Sequence, residues 1–309
     1  MNILNRAVYN AMNHSFMKVV KLKLFLKFNS NRKYSDLLYL TKLGKICLGY
    51  DMNLKKPETY NEKINWLKLH YRNKNMIQCV DKIGVDEYVK SKGYAEILVP
   101  KYGQWKSIDE IDLSKLPNQF VLKTNHDSGG VLKCLNKTKI KKSDLRFLDR
   151  HLKNDFSSLF LEWPYKYVTR KIFAEKYLKN KNDTDLIDYK FHCSYGKVLG
   201  FIIYRSRSTK LKVNYYDQNG NELLIQGSHP KSKKKLIKDS TSKKMMKIAE
   251  NLSLEFPYVR VDLYNCEGKI YFGEMTFFPA AGLQKYNLHD EMLLGKYIPV
   301  ENINKEFLV

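Results

Sequence analysis

The chain has 309 residues, of which 55 are Lys or Arg and 32 are Asp or Glu, so its formal net charge is +23. It is 43% hydrophobic and 13% aromatic, which provides enough apolar surface to offset chain entropy and excludes a disordered basic tail. Its 15 Gly and 8 Pro exclude collagen-like and low-complexity classes.

Cysteine use and hydropathy predict a cytoplasmic protein. The five cysteines are odd in number, far apart and without a C-x-x-C pair, so neither a disulfide framework nor a zinc site is indicated. The best candidate for a signal or membrane segment, residues 19–28, contains three lysines and is too short to span a bilayer. Peripheral contact with the inner face of the membrane stays open.

The first 75 residues are basic and carry helical patterns. Apolar residues recur at three- and four-residue spacing in residues 36–40 and 60–69, and Thr59 with Glu62 has the spacing of a capping box. A further helix is predicted from Asp81 to Lys92, followed by a short strand at residues 97–100.

From residue 118 onward the pattern changes to strands. A buried strand is followed by a polar, glycine-tipped loop, and the remaining chain alternates strands with two helical stretches and a lysine-rich run. In chain order these segments are strand 119–123, loop 124–130, strand 131–132, helix 141–162, strand 171–178, linker 179–184, strands 187–194, 198–204 and 213–217, basic run 231–247, helix 245–254, and a hairpin of 259–264 with 269–276.

The first candidate site is Lys123 with the loop that follows it. A lysine at a strand end, beside a loop whose Ser and Gly backbone N–H groups can approach closely, is suited to hold phosphates. Taken alone, a glycine-tipped hairpin with a solvated lysine is the commoner outcome of such a pattern. The loop matches neither the P-loop nor the dinucleotide-binding glycine pattern.

The second candidate site is the closing hairpin. Strand alternation puts Arg260 and Asp262 on one face, and a tight turn brings Asp262 beside Glu274, which alternates in phase with Phe272 and Thr276. Two facing carboxylates repel unless a cation or Arg260 lies between them. Carboxylate and hydroxyl oxygens suit Mg²⁺, although a surface hairpin with solvated charges is the alternative.

Seven blocks together resemble the TupA-like (teichuronopeptide biosynthesis) ATP-grasp family. The resemblance runs in the right order from about residue 35 to the end of the chain. The blocks are PETYNEK (57–63), DK (81–82), FVLKTNH (120–126), EWPY (162–165), DYK (188–190), VRVDLY (259–264) and IYFGEMTF (270–277).

The resemblance implies an α+β, ATP-grasp fold, in which two α+β lobes with antiparallel sheets sandwich ATP, here with a basic helical N-terminal region. It divides the chain into four parts. These are a basic helical region (1–75), a small segment of the lobe that precedes the ATP-grasp core (76–117), a subdomain with the flexible phosphate loop (118–178) and a C-terminal catalytic subdomain (179–309).

The resemblance also assigns roles to residues. Lys82 and Lys123 match the two lysines that contact the nucleotide phosphates, with Lys123 also counted as catalytic, and Arg260 matches the arginine that steadies the reacting intermediate. Asp262 and Glu274 match the metal carboxylates, and Thr276 stands where Asn is common in the family. The loop over the triphosphate comprises Asn125, His126, Ser128, Gly129 and Gly130; the adenine segment comprises Glu175, Lys176, Tyr177 and Leu178; Asp188 or Lys190 falls near the ribose or a phosphate.

These roles imply ATP- and Mg²⁺-dependent activation of a carboxylate, through an acylphosphate that an amine then captures as an amide. The family name directs the expectation to a uronic-acid-containing surface polysaccharide, or its precursor, with an amino acid or amine as donor. One departure is Asp86, which stands where a basic residue is expected. The other histidines besides His126 are read as structural or surface residues.

The excess positive charge indicates acidic partners. Arg205 and Arg207, at a strand end, are candidates for a clamp on the substrate carboxylate, whereas the runs 18–33 and 231–247 are either solvated loops or contacts to an acidic saccharide or anionic membrane. Nucleic-acid binding is not expected, because aromatic residues are not interleaved with the basic runs. Two alternatives remain: a glycosyltransferase of capsule synthesis that uses a nucleotide sugar, and a non-catalytic basic adaptor.

Overall fold

The computed structural model describes residues 20–22, 24–26, 34–180, 185–207, 209–227, 229–234, 236 and 238–309. They fall into two compact units: Lys74–Lys179 forms unit 1, and the chain before it up to Asn73, together with Asn180–Val309, forms unit 2. Most of the predicted basic run at 18–33 and most of the linker at 179–184 lie outside the described residues. Among the described residues, no helix is long and apolar enough to cross a membrane.

The helices are numbered in chain order. They are α1 (Asp36–Cys47), α2 (Tyr60–His70), α3 (Asn75–Val80), α4 (Val85–Ser91), α5 (Lys142–Lys153), α6 (Phe156–Phe160), α7 (Ser240–Leu252) and α8 (Leu288–Gly295). Short 3-10 turns span Ala95–Ile97, Ile108–Glu110, Leu113–Lys115, Lys137–Lys139, Trp163–Tyr167, Pro279–Gly282, Val300–Asn302 and Lys305–Phe307.

The strands follow the same order. They are β1 (Lys101–Trp105), β2 (Phe120–Thr124), β3 (Val131–Cys134), β4 (Ile172–Lys176), β5 (Ile187–Ser194), β6 (Lys197–Arg205), β7 (Lys212–Asp217), β8 (Glu222–Leu223), β9 (Val259–Cys266) and β10 (Lys269–Thr276).

The capping box predicted at the start of α2 is confirmed. The Thr59 side chain accepts from the Glu62 backbone N–H, and the Glu62 carboxylate accepts from the Thr59 N–H at 3.0 Å. The same carboxylate also accepts from the backbone N–H groups of Asn53 and Glu58. One buried glutamate therefore fixes both the helix start and the chain that enters it.

The helix predicted from Asp81 begins only at Val85, and the helix predicted at 141–162 is divided into α5 and α6. In each case an aspartate explains the difference. Asp81 ends α3 in an extended conformation, and its carboxylate accepts from the Ile83 N–H at 2.9 Å before α4 begins. Asp155 accepts from the Ser158 N–H at 3.2 Å and so starts α6 separately from α5. Short Asp side chains compete with helical hydrogen bonds, which the apolar spacing does not reveal.

The strand predicted at residues 97–100 is wrong. Ala95–Ile97 forms a 3-10 turn, and the strand begins only at Lys101. Pro100 explains the shift, because its nitrogen carries no hydrogen to donate to a sheet ladder. Its carbonyl instead accepts from the Lys176 N–H at 2.9 Å.

Unit 1 is built on a four-stranded antiparallel sheet in the order β1-β4-β2-β3. One face packs against α5 through a buried apolar core. That core includes Phe120, Leu122, Leu148, Leu152, Ile172 and Ala174. Because side chains alternate along a strand, Lys123, Phe173 and Glu175 lie on the opposite face.

Unit 2 is built on a six-stranded antiparallel sheet in the order β10-β9-β5-β6-β7-β8. Helix α7 contacts β5, β6, β9 and β10 and buries Met245, Ile248, Ala249 and Leu252. The pKa of the Cys193 thiol is raised by burial on this face, where Ser253 hydrogen bonds to it. Alternation then directs the charged side chains of β5 and β9 to the other face, which carries the site described next.

Candidate functional site

The charged residues of unit 2 are brought together by strand register. Asp262 on β9 lies opposite Lys190 on β5, and Arg260 lies opposite His192. On its other side, Asp262 lies opposite Glu274 on β10, and Arg260 opposite Thr276. Register therefore places five predicted site residues on one face of the sheet: Lys190, Arg260, Asp262, Glu274 and Thr276.

A β-bulge at Gly273 makes this pairing possible. Below it, Phe272 pairs with Leu263, and above it Glu274 pairs with Asp262, so the register shifts by one residue. Unbroken alternation would keep Glu274 in phase with Phe272, and that expectation is wrong. A Cβ at position 273 would stand 2.9 Å from the Asp262 carbonyl oxygen, so glycine fits this bulge where a larger residue would not.

Arg260 lies between the carboxylates, which is one of the two arrangements that the sequence left open. Its Nε and Nη2 donate to the two oxygens of Asp262 at 2.6 and 2.7 Å. Nη2 also lies 3.3 Å from Glu274 Oε1 and 3.1 Å from Thr276 Oγ1. The guanidinium therefore links β9 to β10 through three acceptor side chains.

The row of charges continues onto β5 and past the end of β6. Lys190 Nζ contacts Asp262 Oδ2 and lies 3.0 Å from Asp188 Oδ2, which is itself 3.0 Å from Arg207 Nη2. We call this set the charge row. In spatial order it comprises Arg207, Asp188, Lys190, Asp262, Arg260 and Glu274.

The two ends of the charge row are exposed and its middle is buried. The side chains of Arg207 and Glu274 are 50% and 40% exposed, whereas that of Asp262 is 2% exposed. Signs alternate along the row, so each buried charge has an opposite neighbour. The ring of Tyr204 lies under both Lys190 and Arg207, with cation-to-centroid distances of 5.1 and 5.4 Å.

Burial and charge act in opposition on the pKa values of the row. Burial alone would lower the pKa of Arg260, but Asp262 and Glu274 raise it well above its ordinary value. Burial raises the pKa of Asp262, and the neighbouring Arg260 and Lys190 oppose that rise. Arg260 is thus a permanently charged group inside a buried site.

Arg205 does not join the charge row. It alternates with Tyr204 and therefore points to the other face of the sheet, where its Nη1 donates to Asn214 Oδ1 at 3.0 Å. Asn214 in turn donates to Glu222 at 2.6 Å. Of the two predicted clamp arginines, the structure places Arg207 beside the other site residues and Arg205 away from them.

The oxygens of Asp262, Glu274 and Thr276 fit a magnesium ion in type. Mg²⁺ takes one or two carboxylates together with water and substrate phosphates, and Glu274 faces solvent. Within the described part of the chain, no three His, Cys, Asp or Glu residues form a metal-binding cluster by themselves. Arg260 contacts all three of these side chains, so an ion here would share them with the guanidinium.

The second group of predicted residues lies in unit 1. Lys123 Nζ is 2.5 Å from Glu175 Oε1 across the β2–β4 pair. Lys82 Nζ donates to the backbone oxygen of Asp127, in the loop after β2, at 2.6 Å. The two lysines and Glu175 therefore lie within one compact unit, where each lysine is held by an oxygen of the protein itself.

Most of the predicted phosphate loop is tied inward. Asn125 is buried and donates to Asp81 Oδ1 and the Thr169 oxygen at 2.8 and 2.9 Å. His126 is buried, which lowers its pKa. Ser128 is exposed and Gly129, with φ of 126°, is half-buried, so these two residues form the accessible tip of the loop.

The remaining residues of the predicted adenine segment are the last residue of β4 and the two residues after it. Lys176 is exposed, while Tyr177 and Leu178 are half-buried. Lys133 Nζ lies 4.7 Å from the centroid of the Tyr177 ring. An aromatic ring at this position can stack on a base or be covered by a cation.

Lys101 is a charged residue of this group that sequence reasoning missed. It pairs in register with Glu175, and its Nζ lies 2.5 Å from Asp86 Oδ2. Burial raises the pKa of Asp86, which Lys101 partly offsets. A basic group thus lies beside Asp86, although position 86 itself is acidic, and its only sequence signal is a lysine at the start of a strand.

Comparison with known proteins gives a family match. The sequence profile of the family described as TupA-like ATPgrasp matches residues 62–299. No curated protein matches the chain significantly.

Solved structures resemble the chain at low identity. D-alanine–D-alanine ligase from Bacillus anthracis is 16% identical over 76% of this chain and 74% of its own, with a TM-score of 0.42. L-amino acid ligase from Bacillus licheniformis is 12% identical over 93% and 64%, with a TM-score of 0.42. N5-carboxyaminoimidazole synthetase from Staphylococcus aureus is 13% identical over 86% and 64%, with a TM-score of 0.42. The chain thus spans less than two thirds of the last two proteins.

Proposed function

Because the chain belongs to the TupA-like ATP-grasp family, we propose that it is an ATP-dependent carboxylate–amine ligase. The reaction joins a carboxylate and an amine as an amide and converts ATP to ADP and phosphate. The observation that carries the proposal is the placement of Arg260 between Asp262 and Glu274 on the polar face of the unit 2 sheet.

In unit 1, Lys82 and Lys123 bind the phosphates of ATP, and the Ser128–Gly129 tip lies against them. Lys123 gives up its contact with Glu175 for phosphate oxygens, whereas Lys82 keeps its hydrogen bond to the Asp127 backbone oxygen and uses its other donors. Glu175, freed from Lys123, accepts from the adenine amino group, with Lys176, Tyr177 and Leu178 beside it. A point charge on a flexible stem is suited to this exchange.

In unit 2, Asp262 and Glu274, with Thr276, would hold magnesium, which would neutralise negative charge on the phosphates. A carboxylate oxygen of the substrate attacks the γ-phosphorus and ADP leaves, and the amine then attacks the acyl carbon and phosphate leaves. Arg260, held by Asp262 from one side, points donors at the negative charge that develops on the acylphosphate and on the adduct with the amine. Asp188 and Lys190 hold the buried middle of the charge row in place.

For the acceptor we propose a uronic-acid-containing surface polysaccharide or its precursor, and for the donor an amino acid or amine. Arg207 supports this assignment, because a half-exposed guanidinium beside the half-buried ring of Tyr204 offers a carboxylate two parallel donors next to an aromatic surface. The net charge of +23 favours acidic substrates in general.

The test is ADP release from the purified protein with Mg²⁺, ATP, uronate oligosaccharides and a panel of amino acids and amines. We expect ADP and amide in equal amounts, with the amide identified by mass spectrometry. Lys123→Ala should abolish ADP release and Glu274→Gln should lower it at limiting Mg²⁺, while the exposed Lys115→Ala in unit 1 should retain it.

Thermal stabilisation by nucleotides separates this proposal from its alternatives. Stabilisation by ATP and not by a UDP-sugar supports the ligase. Stabilisation by a UDP-sugar alone would favour a glycosyltransferase, and salt-sensitive polysaccharide binding without ATP hydrolysis would favour a basic adaptor.

A further inference from the structure

A buried aspartate lies at the centre of the phosphate loop of unit 1. The Asp127 side chain has no exposed surface. Its Oδ1 accepts from Thr124 Oγ1 and from the Gly130 N–H, the latter at 3.2 Å. Its Oδ2 lies 2.5 Å from Nδ1 of His151, on α5. We call Thr124, Asp127 and His151 the loop clasp.

The clasp joins both ends of the loop to a helix behind it. Thr124 is the last residue of β2 and Gly130 precedes β3, so Asp127 Oδ1 ties the two strand ends together. His151 then ties the loop to α5, the helix that covers the core of the unit. A carboxylate accepts and does not donate, so Nδ1 of His151 carries the proton in this contact.

The carboxylate is stabilised where it is buried. Burial by itself would raise the pKa of Asp127, but the hydrogen bonds from His151 and Thr124 and the charge of Lys82 lower it below its ordinary value. Each hydrogen-bond donor to this buried carboxylate contributes to stability, because removing one donor leaves a buried charge partly unpaired.

Close packing confirms that the loop is built around this contact. A Cβ at Gly130 would lie 2.0 Å from Thr124 Oγ1 and 2.8 Å from Asp127 Oδ1. Position 130 therefore requires glycine because a side chain there would collide with Thr124 and Asp127. This requirement holds whether or not a phosphate approaches the loop.

The clasp also determines where Lys82 lies. The backbone oxygen of Asp127 accepts from Lys82 Nζ at 2.6 Å, and the Lys82 N–H donates to the Asn125 oxygen at 3.1 Å. Rotation of the loop backbone at Asp127 would carry the lysine ammonium with it. The backbone at Asp127 thus positions both the loop tip and the ammonium group of Lys82.

We propose that Asp127 and His151 are positioning residues that hold the phosphate loop and Lys82 in the arrangement that receives the triphosphate. The proposal rests on the proposed function for its ligand. Neither side chain contacts the nucleotide; both act through the loop backbone and through Lys82.

Two substitutions of His151 test the donor itself. His151→Leu removes the hydrogen bond to Asp127 with a side chain of similar reach, whereas His151→Asn can place an N–H where Nδ1 stands. Asp149→Asn on the same helix, whose carboxylate pairs with exposed Lys153 at 2.7 Å, is the matched control.

The first measurement needs no ligand. Hydrogen exchange of the Gly130 amide, whose N–H donates to Asp127, should become about tenfold faster in His151→Leu and stay near the wild-type rate in His151→Asn and Asp149→Asn. Unchanged exchange in His151→Leu would overturn the clasp. If His151→Leu does not fold, Thr124→Val, which removes the donor to Oδ1, replaces it with the same expectations.

The second measurement uses an ATP analogue with an imido bridge between the β- and γ-phosphates. The Kd should rise about tenfold in His151→Leu and remain within about twofold in His151→Asn, and KM for ATP should rise while kcat stays near the wild-type value. Equal affinity in His151→Leu and wild type would overturn the positioning role. If the wild type itself binds no nucleotide, the proposed function fails, while the exchange measurement still decides whether the clasp holds the loop.

Discussion

Arg260 donates to both carboxylate oxygens of Asp262, at 2.6 and 2.7 Å, although the two residues stand on the same strand. Residues i and i+2 share one face of a strand, so the motif R-x-D is enough to form this contact locally. The planar guanidinium matches the carboxylate with two parallel hydrogen bonds. The fork also leaves Nη2 able to reach Glu274 on the next strand.

The first prediction concerns the shape of this group. Arg260→Lys keeps the charge but cannot reproduce the two parallel hydrogen bonds. We expect kcat for ADP formation to fall about 100-fold, in the range found when one preorganised donor to the reacting charge is lost. Steady-state kinetics with saturating ATP measure this.

Arg146→Lys, an exposed arginine on α5, is the control and should keep the wild-type rate. A wild-type rate in Arg260→Lys would show that positive charge alone suffices at this position. It would contradict the requirement for the two parallel hydrogen bonds of the guanidinium.

The second prediction concerns magnesium. Glu274→Gln removes a charged oxygen from the donor set of Asp262, Glu274 and Thr276 and leaves Arg260 with Asp262. The Mg²⁺ concentration at half-maximal rate should rise at least about fivefold, because neutral oxygens bind this ion more weakly. A magnesium titration at fixed ATP measures the shift.

Stability should change little in Glu274→Gln, since the side chain is 40% exposed and a pair of this kind contributes little to folding. The exposed Glu301→Gln should leave the titration unchanged. An unshifted titration in Glu274→Gln would remove Glu274 from the donor set.

The closing hairpin shows how far sequence patterns reach. Alternation in β9 puts Arg260 and Asp262 on one face, and a turn at Gly268 brings Glu274 near them, with a cation or Arg260 expected between the two carboxylates. The bulge at Gly273 was not predictable from alternation, which would set Asp262 opposite Gly273. A single inserted residue changes every later pairing, and its position depends on how tightly the Asp262 backbone packs against it.

The phosphate loop shows where such patterns stop. Its polar, glycine-tipped composition predicted a flexible cradle, yet Asn125 is bound to Asp81, 44 residues away, and Asp127 to His151, 24 residues away. Contacts across such separations leave no periodic signal in the sequence. Arg205 and Arg207 illustrate the same limit: they look equivalent as neighbours, but strand alternation fixes the face of Arg205, while Arg207 lies past the end of β6.

The third prediction concerns pH. His192 is buried, with Nδ1 2.9 Å from the Tyr258 hydroxyl, and burial, reinforced by Arg260 and Lys190, lowers its pKa well below 6.5. Burial also lowers the pKa of His126. The unfolded chain therefore binds protons below about pH 6.5 that the folded chain does not bind.

Folding should consequently be most stable above pH 6.5 and lose up to about 1.4 kcal/mol per pH unit for each buried histidine as the pH falls below it. Urea unfolding at pH 7.5 and 5.5 measures the difference. His192→Gln should reduce the pH dependence, whereas His229→Gln, at an exposed position, should not. An equal pH dependence of the free energy of unfolding in His192→Gln and wild type would contradict the claim that His192 is buried as a neutral imidazole.

The fourth prediction concerns the turn after β10. Ala280, Ala281 and Gly282 follow one another in the left-handed region, with φ of 49°, 56° and 60°. Two side chains of α2 hold this turn: Lys68 Nζ donates to the Ala281 oxygen at 2.6 Å, and Asn65 Nδ2 to the Gly282 oxygen at 2.8 Å. The hydrogen bonds maintain a backbone that costs a non-glycine residue roughly 1 to 2 kcal/mol.

Ala280 is exposed, so replacing it with glycine removes the strain without opening a cavity. Ala280→Gly should raise the free energy of unfolding by about 0.5 to 1 kcal/mol, because the relief of strain exceeds the added entropy of the unfolded chain. Ala249→Gly in α7, an ordinary helical position in the same unit, should lower it by about 1 kcal/mol or more. Urea unfolding of both variants measures the sign of each change in the free energy of unfolding. A loss of stability in Ala280→Gly would mean that the left-handed turn carries no strain that glycine can relieve.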